Sequence, residues 1–228
     1  SAPIILTQKD LGSIILGIKE GRMVFSNTIK YVRATLTSNM GNFYALAFAT
    51  LTLPWLPLLP VQILLLNLFT DGPMVAIAAD RHDNVVGTKP QRYHVRDIIV
   101  VALLLGSVST MFDFAFFGYF VGQGQEVLRT MWFMGSSLTE LILLFSIRTM
   151  RPFWRAVPPA PILVFLSLVA AFCTIALPFT PIGHSWLGFT TPSYSNMVVV
   201  GSLVLGYFVV TEIAKLLTGL FIHEGGKK

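Results

Sequence analysis

The sequence is poor in charged residues. Charged side chains make up 12% of its 228 residues, about half the share usual in a soluble domain. Apolar residues make up 54%. A soluble fold of this length would need far more charge to cover its surface. The composition therefore excludes an ordinary soluble domain and predicts a chain that is largely dissolved in lipid.

Cysteines and catalytic motifs are also scarce. The single cysteine, Cys173, lies in an apolar stretch, which excludes an intrachain disulfide and favours a buried structural thiol. The sequence has no N-glycosylation triplet, Cys/His metal motif, phosphate-binding glycine loop or hydrolase signature. We therefore expect no catalytic residue and no cofactor in this chain. The net charge of +5 is interpreted as an excess of lysine and arginine in cytoplasmic loops, and not as a sign of nucleic-acid binding.

Six apolar stretches are long enough to cross a membrane, which takes roughly 20 residues. They cover residues 34–53, 58–79, 98–121, 128–147, 161–179 and 196–220. The first is the least hydrophobic. The sequence therefore predicts an all-α polytopic bundle of six transmembrane helices at 34–220. A cytoplasmic stalk or domain edge precedes it at 1–33, and a cytoplasmic tail follows at 221–228.

Lysine and arginine are distributed unevenly around these spans. If the N-terminus is inside, all 16 except Arg129 fall in cytoplasmic segments or, for Lys215, near the cytoplasmic end of the last span, and the external turns at 54–60 and 179–196 have none. Because positive residues remain on the cytoplasmic side, we predict an integral protein of the plasma or inner membrane with both termini in the cytoplasm. Residues 7–30 are amphipathic and fit either a membrane-surface helix or the edge of a soluble domain. The initial Ser1 suggests a processed or excised piece.

Ionisable residues inside spans are costly and usually functional. Thr70 and Asp71 follow Asn67 by three and four residues, so one helical face presents an amide, a hydroxyl and a carboxylate. Pro73 follows, and we expect it to break the helix and free carbonyl groups beside Asp71. A broken helix next to a carboxylate is how transporters bind hard cations. A structural helix kinked at the proline is the alternative interpretation.

Other polar residues extend this predicted site. Asn39 and Asn42 flank Gly41, which permits a close helix approach, and they are expected to face Asp71 across a short hairpin. Glu140 has serine and threonine neighbours, and together they are expected to complete an oxygen-rich cage. The alternative interpretation of the two asparagines is structural: they join helices by hydrogen bonds.

The two remaining intramembrane acids are interpreted as structural. Asp113 has no polar neighbour in sequence and is expected near the outer half, in contact with a loop. Glu212 and Lys215, three residues apart, fit an ion pair or an internal tether.

Several motifs resemble the C-terminal membrane region of P-type cation-transporting ATPases. They are Ser-Asn-Met-Gly-Asn at 38–42, Pro-Val-Gln at 60–62, Asn-Leu-Phe-Thr-Asp-Gly at 67–72, Ser-Leu-Thr-Glu at 137–140 and Ile-Arg-Thr at 147–149. The stretch from Leu6 to Arg22 is similar to the segment that leaves the phosphorylation domain of these pumps. By this resemblance, which covers nearly the whole chain, the six spans are family helices five to ten.

The resemblance also implies a set of ligands for the transported ion. Asn39, Asn67, Thr70, Asp71 and Glu140 match coordinating positions of calcium-type pumps. Asn42 stands where those pumps have a glutamate, and magnesium-transporting members look more similar there. We therefore expect metal ligands at Asn39, Asn42, Asn67, Thr70, Asp71 and Glu140, with Mg²⁺ or Ca²⁺ as the cation.

The phosphorylation and dephosphorylation motifs of the family are missing from the sequence. The resemblance therefore implies that ATP and its Mg²⁺ bind to other cytoplasmic domains, in the N-terminal part of the pump or in a separate motor subunit. Two alternatives remain open: a stand-alone passive cation channel or transporter, and a non-transporting membrane scaffold.

Overall fold

A computed structural model describes residues 11–81, 95–149 and 151–225, and every regular element in these ranges is a helix. The elements are α1 (Leu11–Thr52), α2 (Pro60–Ala76), α3 (Val95–Phe120), α4 (Gln125–Ile147), α5 (Pro161–Ala176), α6 (Pro181–Ser185) and α7 (Tyr194–Gly225). Short 3₁₀ turns at Ile77–Ala79, Val121–Gln123 and Leu177–Phe179 extend α2, α3 and α5, and another, Phe153–Arg155, lies between α4 and α5. The all-α prediction is confirmed.

Five helices in the described ranges are long and apolar enough to cross a membrane. They are Pro60–Ala79, Val95–Gln123, Gln125–Ile147, Pro161–Phe179 and Tyr194–Leu217, which agree with the last five predicted spans. The segment 34–53 is not among them, because its polar side chains lower its mean hydropathy. A spanning role for this segment stays a prediction; in its favour, it lies along α3 within the bundle.

The first helix is longer than a membrane span requires. α1 has 42 residues without interruption, which corresponds to about 60 Å. It therefore joins the amphipathic segment before residue 34 directly to the polar segment that carries Asn39 and Asn42. A displacement at its N-terminal half can reach those side chains without passing through a loop.

α1 crosses α3 at a pair of glycines. A methyl group added at Gly41 would lie 2.7 Å from Cβ of Ser109, and one added at Gly106 would lie 3.1 Å from Cβ of Met40. The hydroxyl of Thr110 donates to the carbonyl of Gly41 at 3.4 Å. The predicted close approach at Gly41 is confirmed, and its partner is α3.

α4 is the central helix, and a polar band divides its buried surface. Met131 to Met134 belong to one apolar cluster with Phe116 and Phe120. Leu143, Leu144 and Ile147 belong to a second cluster near the other end. Between the two clusters lie the buried polar side chains of Ser136, Ser137, Thr139 and Glu140. Glu140 therefore lies deep in the bundle, shielded on both sides by apolar layers.

The predicted break at Asp71–Pro73 is wrong. α2 is α-helical through Pro73 and continues to Ala76 before it passes into the 3₁₀ turn. Proline removes one N–H and crowds one carbonyl, but spanning helices tolerate this where neighbouring groups compensate. Pro73 and Met74 are both buried against the bundle. The packing thus holds the helix together for one more turn.

At the end of α2, Asp80 ties several segments together. Arg148 donates to its carboxylate through Nε at 2.9 Å and Nη2 at 3.0 Å. The backbone N–H of Ala160 donates at 3.1 Å, and the ammonium of Lys30 lies at 3.4 Å. Burial by itself raises the pKa of Asp80, but these hydrogen bonds and positive charges outweigh it and hold the pKa below its ordinary value.

A second buried ion pair links α7 to α4. Lys215 donates to Glu212 at 2.6 Å and to the carbonyl of Ser146 at 3.1 Å, and the Ser146 hydroxyl donates to Glu212 at 2.6 Å. The predicted pair is confirmed as a tether between helices. The prediction that Cys173 is a buried thiol is wrong: the side chain is only partly buried, because its side of α5 has less of the bundle packed against it.

Candidate cation site

Asn42 of α1 and Glu140 of α4 meet at the centre of the polar band. The Asn42 amide donates a hydrogen bond to the Glu140 carboxylate, and the Ser136 hydroxyl lies 3.5 Å from the Asn42 carbonyl oxygen, to which it donates. The hydroxyls of Ser38 and Thr70 also lie beside the carboxylate. Three helices, α1, α2 and α4, therefore bring oxygen atoms around one buried acid.

The polar residues of α2 occupy two different environments. Thr70 is buried next to Glu140, whereas Asn67 and Asp71 are exposed on the side of α2 that turns away from the core. Asp71 is nevertheless within electrostatic range of Glu140. The predicted carboxylates thus lie on two sides of Thr70, one inside the bundle and one at its surface.

A groove opens between α1 and α2 next to this polar cluster. It has a volume of about 590 Å³, and Asn39, Asn42 and Asn67 line it together with apolar side chains of both helices. Trp132 and Ser136 of α4 also line it. Asn39 and Asn67 are exposed, so their side-chain amides lie at the open surface of the groove and not in the interior of the bundle.

The structure therefore brings the six predicted ligands into one region, where they fall into three groups by their surroundings. Asn42, Thr70 and Glu140 lie close together, Asn39 and Asn67 line the groove, and Asp71 is exposed one residue beyond Thr70. No cluster of three or more His, Cys, Asp or Glu residues occurs among the described residues. The available donors are amide, hydroxyl and carboxylate oxygens, which suit hard cations and not soft transition metals.

The predicted contact of Asp113 with a loop is wrong. Oδ1 of Asp113 accepts a hydrogen bond from the indole N–H of Trp132 at 2.7 Å, and its side chain is 3% exposed. Ser136 lies beside the same carboxylate, and Glu140 is within electrostatic range. Its hydrogen-bond partner, Trp132, is on α4, nineteen residues away. The one available signal was an acid in an otherwise apolar span.

Comparison with known proteins agrees with this architecture. The family described as "Cation transporting ATPase, C-terminus" matches residues 55–217. A relative described as magnesium-transporting ATPase, P-type 1, from Escherichia coli K12 is 31% identical over 94% of the chain and 25% of its own length. The protein of the same description from Salmonella typhimurium LT2 is 31% identical over 94% of the chain and 24% of its length.

A calcium-transporting ATPase from Bacillus subtilis 168 is 29% identical over 65% of the chain and 18% of its own length. The chain thus spans about a quarter of the length of the magnesium-transporting relatives. The family match covers more than half of the chain, and the apolar helical bundle agrees with it. The chain therefore belongs to the P-type cation-transporting ATPases, as a C-terminal transmembrane region of that family.

Proposed function

We propose that this chain binds a hard cation in the membrane, with Mg²⁺ favoured over Ca²⁺, and passes it across the bilayer as part of an ATP-driven pump. The observation that carries the proposal is the contact of Asn42 with Glu140, beside the hydroxyls of Ser38 and Thr70 and within electrostatic range of Asp71. A buried carboxylate surrounded by neutral oxygens from three helices is a cage that a cation stabilises.

The donor set favours Mg²⁺. Asp71 and Glu140 supply two negative charges, which balance one divalent cation, while the other donors are neutral. Mg²⁺ usually keeps several of its waters and takes only one or two carboxylates, whereas Ca²⁺ takes six to eight oxygen ligands. The groove of about 590 Å³ offers room for a partly hydrated ion. The match to magnesium-transporting relatives over 94% of the chain supports the same choice.

The exposed side of the site indicates a partner. Asn39, Asn67 and Asp71 are exposed, at positions where lipid would otherwise meet polar side chains at considerable cost. We infer that membrane helices from the remaining part of the pump, or from a separate motor subunit, cover this groove and complete the coordination. The cytoplasmic domains that bind ATP belong to the same partner.

The long α1 helix suggests how ATP hydrolysis in the cytoplasmic domains could move side chains at the cation site. Asn27 of α1 donates to the carbonyls of Ala78 and Asp80 at 2.9 and 3.1 Å, and Lys30 pairs with Asp80. One helix therefore holds both the end of α2 and the amide that contacts Glu140. A tilt of α1 imposed from the cytoplasmic side would move Asn42 relative to Glu140 and change access to the cation.

Transport by reconstituted protein tests the proposal. The pump that contains this chain is placed in liposomes with an entrapped Mg²⁺ indicator, and flux is measured with and without ATP. We expect ATP-dependent flux that Glu140→Gln lowers at least about tenfold and that Glu126→Gln leaves unchanged, because Glu126 is exposed at the far end of α4. Equal flux without ATP would favour a passive channel. Flux that Glu140→Gln does not alter would contradict the assigned site.

A further inference from the structure

Asp113 is as deeply buried as Glu140, and one of its two carboxylate oxygens is unpaired. Trp132 donates to Oδ1, whereas Oδ2 is buried and has no hydrogen-bond partner among the described residues. A carboxylate oxygen left without a partner in an apolar interior is costly. Such an oxygen is stabilised when a cation or another donor occupies the space next to it.

Hydroxyl groups of α7 are unpaired in the same region. The Tyr207 hydroxyl and the Thr211 hydroxyl are fully buried and have no partner of hydrogen-bond geometry in the described part of the chain. The Tyr207 hydroxyl lies close to Ser109 and Thr211 and within electrostatic range of both Asp113 and Glu140. Ser136 of α4 thus lies beside the Asp113 carboxylate, and the buried Tyr207 hydroxyl of α7 lies beside Ser109, one helical turn before Asp113 on α3.

The groove between α1 and α2 ends next to Asp113. Trp132 and Ser136 both line the groove, and the same two side chains lie against the Asp113 carboxylate. Ser136 also donates to Asn42, which contacts Glu140. The side chains of Trp132 and Ser136 therefore lie between the groove and Asp113.

We propose that Asp113, Ser136 and Tyr207 form a second, inner position for a hard cation between α3, α4 and α7. It rests on the proposed transport function and extends it: the outer position uses Asp71 and Glu140, and the inner one uses Asp113 with neutral hydroxyls. All of its donors are oxygens, so it takes a cation such as Mg²⁺ or Mn²⁺ and not a thiophilic metal. Glu140 is within electrostatic range of both Asp71 and Asp113 and so couples the two positions.

Counting bound cations tests this inference directly. The pump that contains this chain is placed in lipid nanodiscs without nucleotide and titrated with Mn²⁺, and free Mn²⁺ is followed by its electron paramagnetic resonance signal. Relative to the wild-type pump, we expect one Mn²⁺ ion fewer in Asp113→Asn, one fewer in Asp71→Asn, and the same number in the control Glu126→Gln. Tyr207→Phe removes one hydroxyl and keeps the ring, so it should weaken the inner ion about tenfold and leave the outer one unchanged.

The outcomes separate the two proposals. A number of bound ions that falls by one in Asp71→Asn and is unchanged in both Asp113→Asn and Tyr207→Phe would overturn the inner position and leave the proposed function standing. Binding that Asp71→Asn does not reduce would contradict the outer site instead. If Asp113→Asn fails to fold, as judged by its thermal unfolding, an unchanged second Mn²⁺ affinity in Tyr207→Phe overturns the inner position.

Discussion

Asn42 donates its side-chain amide to the carboxylate of Glu140 and so joins α1 to α4 inside the bundle. Its own carbonyl oxygen accepts from Ser136. Asn42 is therefore oriented by two contacts, with its donor directed at Glu140 and its acceptor at the serine. A cation that binds Glu140 competes with this hydrogen bond, which makes the orientation of Asn42 sensitive to occupancy of the site.

Replacement of Asn42 by a carboxylate should change the choice of ion. Asn42→Asp adds a third negative charge near Glu140 and Asp71, and a higher ligand charge favours a larger cation with more oxygen ligands. We expect the ratio of Ca²⁺ to Mg²⁺ affinity to rise about tenfold, equivalent to about 1.4 kcal/mol. Competition of each ion with Mn²⁺ in nanodiscs measures this ratio. If the ratio of Ca²⁺ to Mg²⁺ affinity is unchanged in Asn42→Asp and also in Asn42→Ala, Asn42 does not contact the ion.

Loss of Asp80 should destabilise the bundle strongly. Asp80→Ala leaves the guanidinium of Arg148, which is itself buried, without its carboxylate partner. Breaking a buried pair in this way costs about 3–5 kcal/mol. Unfolding by sodium dodecyl sulfate in mixed micelles measures the loss. The double replacement Asp80→Leu with Arg148→Met removes both charges and should recover part of it; no recovery would mean that the charge pair is not the cause.

The contacts of Asp80 also predict that the free energy of unfolding depends on pH. The pKa of Asp80 is held below its ordinary value, which is about 3.9 for an aspartate in an unfolded chain. Its stabilising contribution is therefore complete above about pH 4 and is lost as the pH falls through the depressed folded-state pKa. The difference in unfolding free energy between wild type and Asp80→Asn should therefore be constant from pH 8 to pH 5 and shrink below about pH 4. A difference that already shrinks between pH 8 and pH 6 would contradict the assignment.

The crossing of α1 and α3 should tolerate no side chain at Gly41. Gly41→Ala places a methyl group 2.7 Å from Cβ of Ser109, so the helices must separate, at a cost of about 1–3 kcal/mol. Gly201→Ala is the matched control, since a methyl group there meets nothing within 4 Å. It should be neutral or slightly stabilising because alanine favours the helix. Equal unfolding midpoints for the two variants would exclude a tight crossing at Gly41.

Much of the fold was predictable because its signals are local. Hydropathy over about 20 residues locates five spans, and Gly41 marks a close approach before its partner on α3 is known. The prediction at Pro73 was wrong because a proline's local cost does not determine where a helix ends when surrounding side chains pack against it. The packing around Pro73 and Met74 is a tertiary property that the sequence pattern of α2 does not carry.

The site was predictable to a lesser degree. The ligand-type residues on α1, α2 and α4 follow from polar positions in apolar helices and from the family motifs. Their division into buried Thr70 and exposed Asp71 depends on how α2 rotates against α4. The partners of Asp113 and Asp80, which are Trp132 and Arg148 respectively, lie on another helix or at its end. These contacts depend on helix rotation and register, for which a single sequence has no periodic signal.

The most direct test of the central claim is the cation dependence of ATP-driven uptake by the pump that contains Asp71→Asn. Uptake is measured across a range of Mg²⁺ concentrations on the side from which the ion enters, at constant Mg-ATP on the other side, with Glu126→Gln as control. The proposed site predicts that the Mg²⁺ concentration for half-maximal uptake rises at least about tenfold in Asp71→Asn and stays unchanged in the control. The same half-maximal concentration in Asp71→Asn and wild type would contradict a cation site at Asp71 and Glu140.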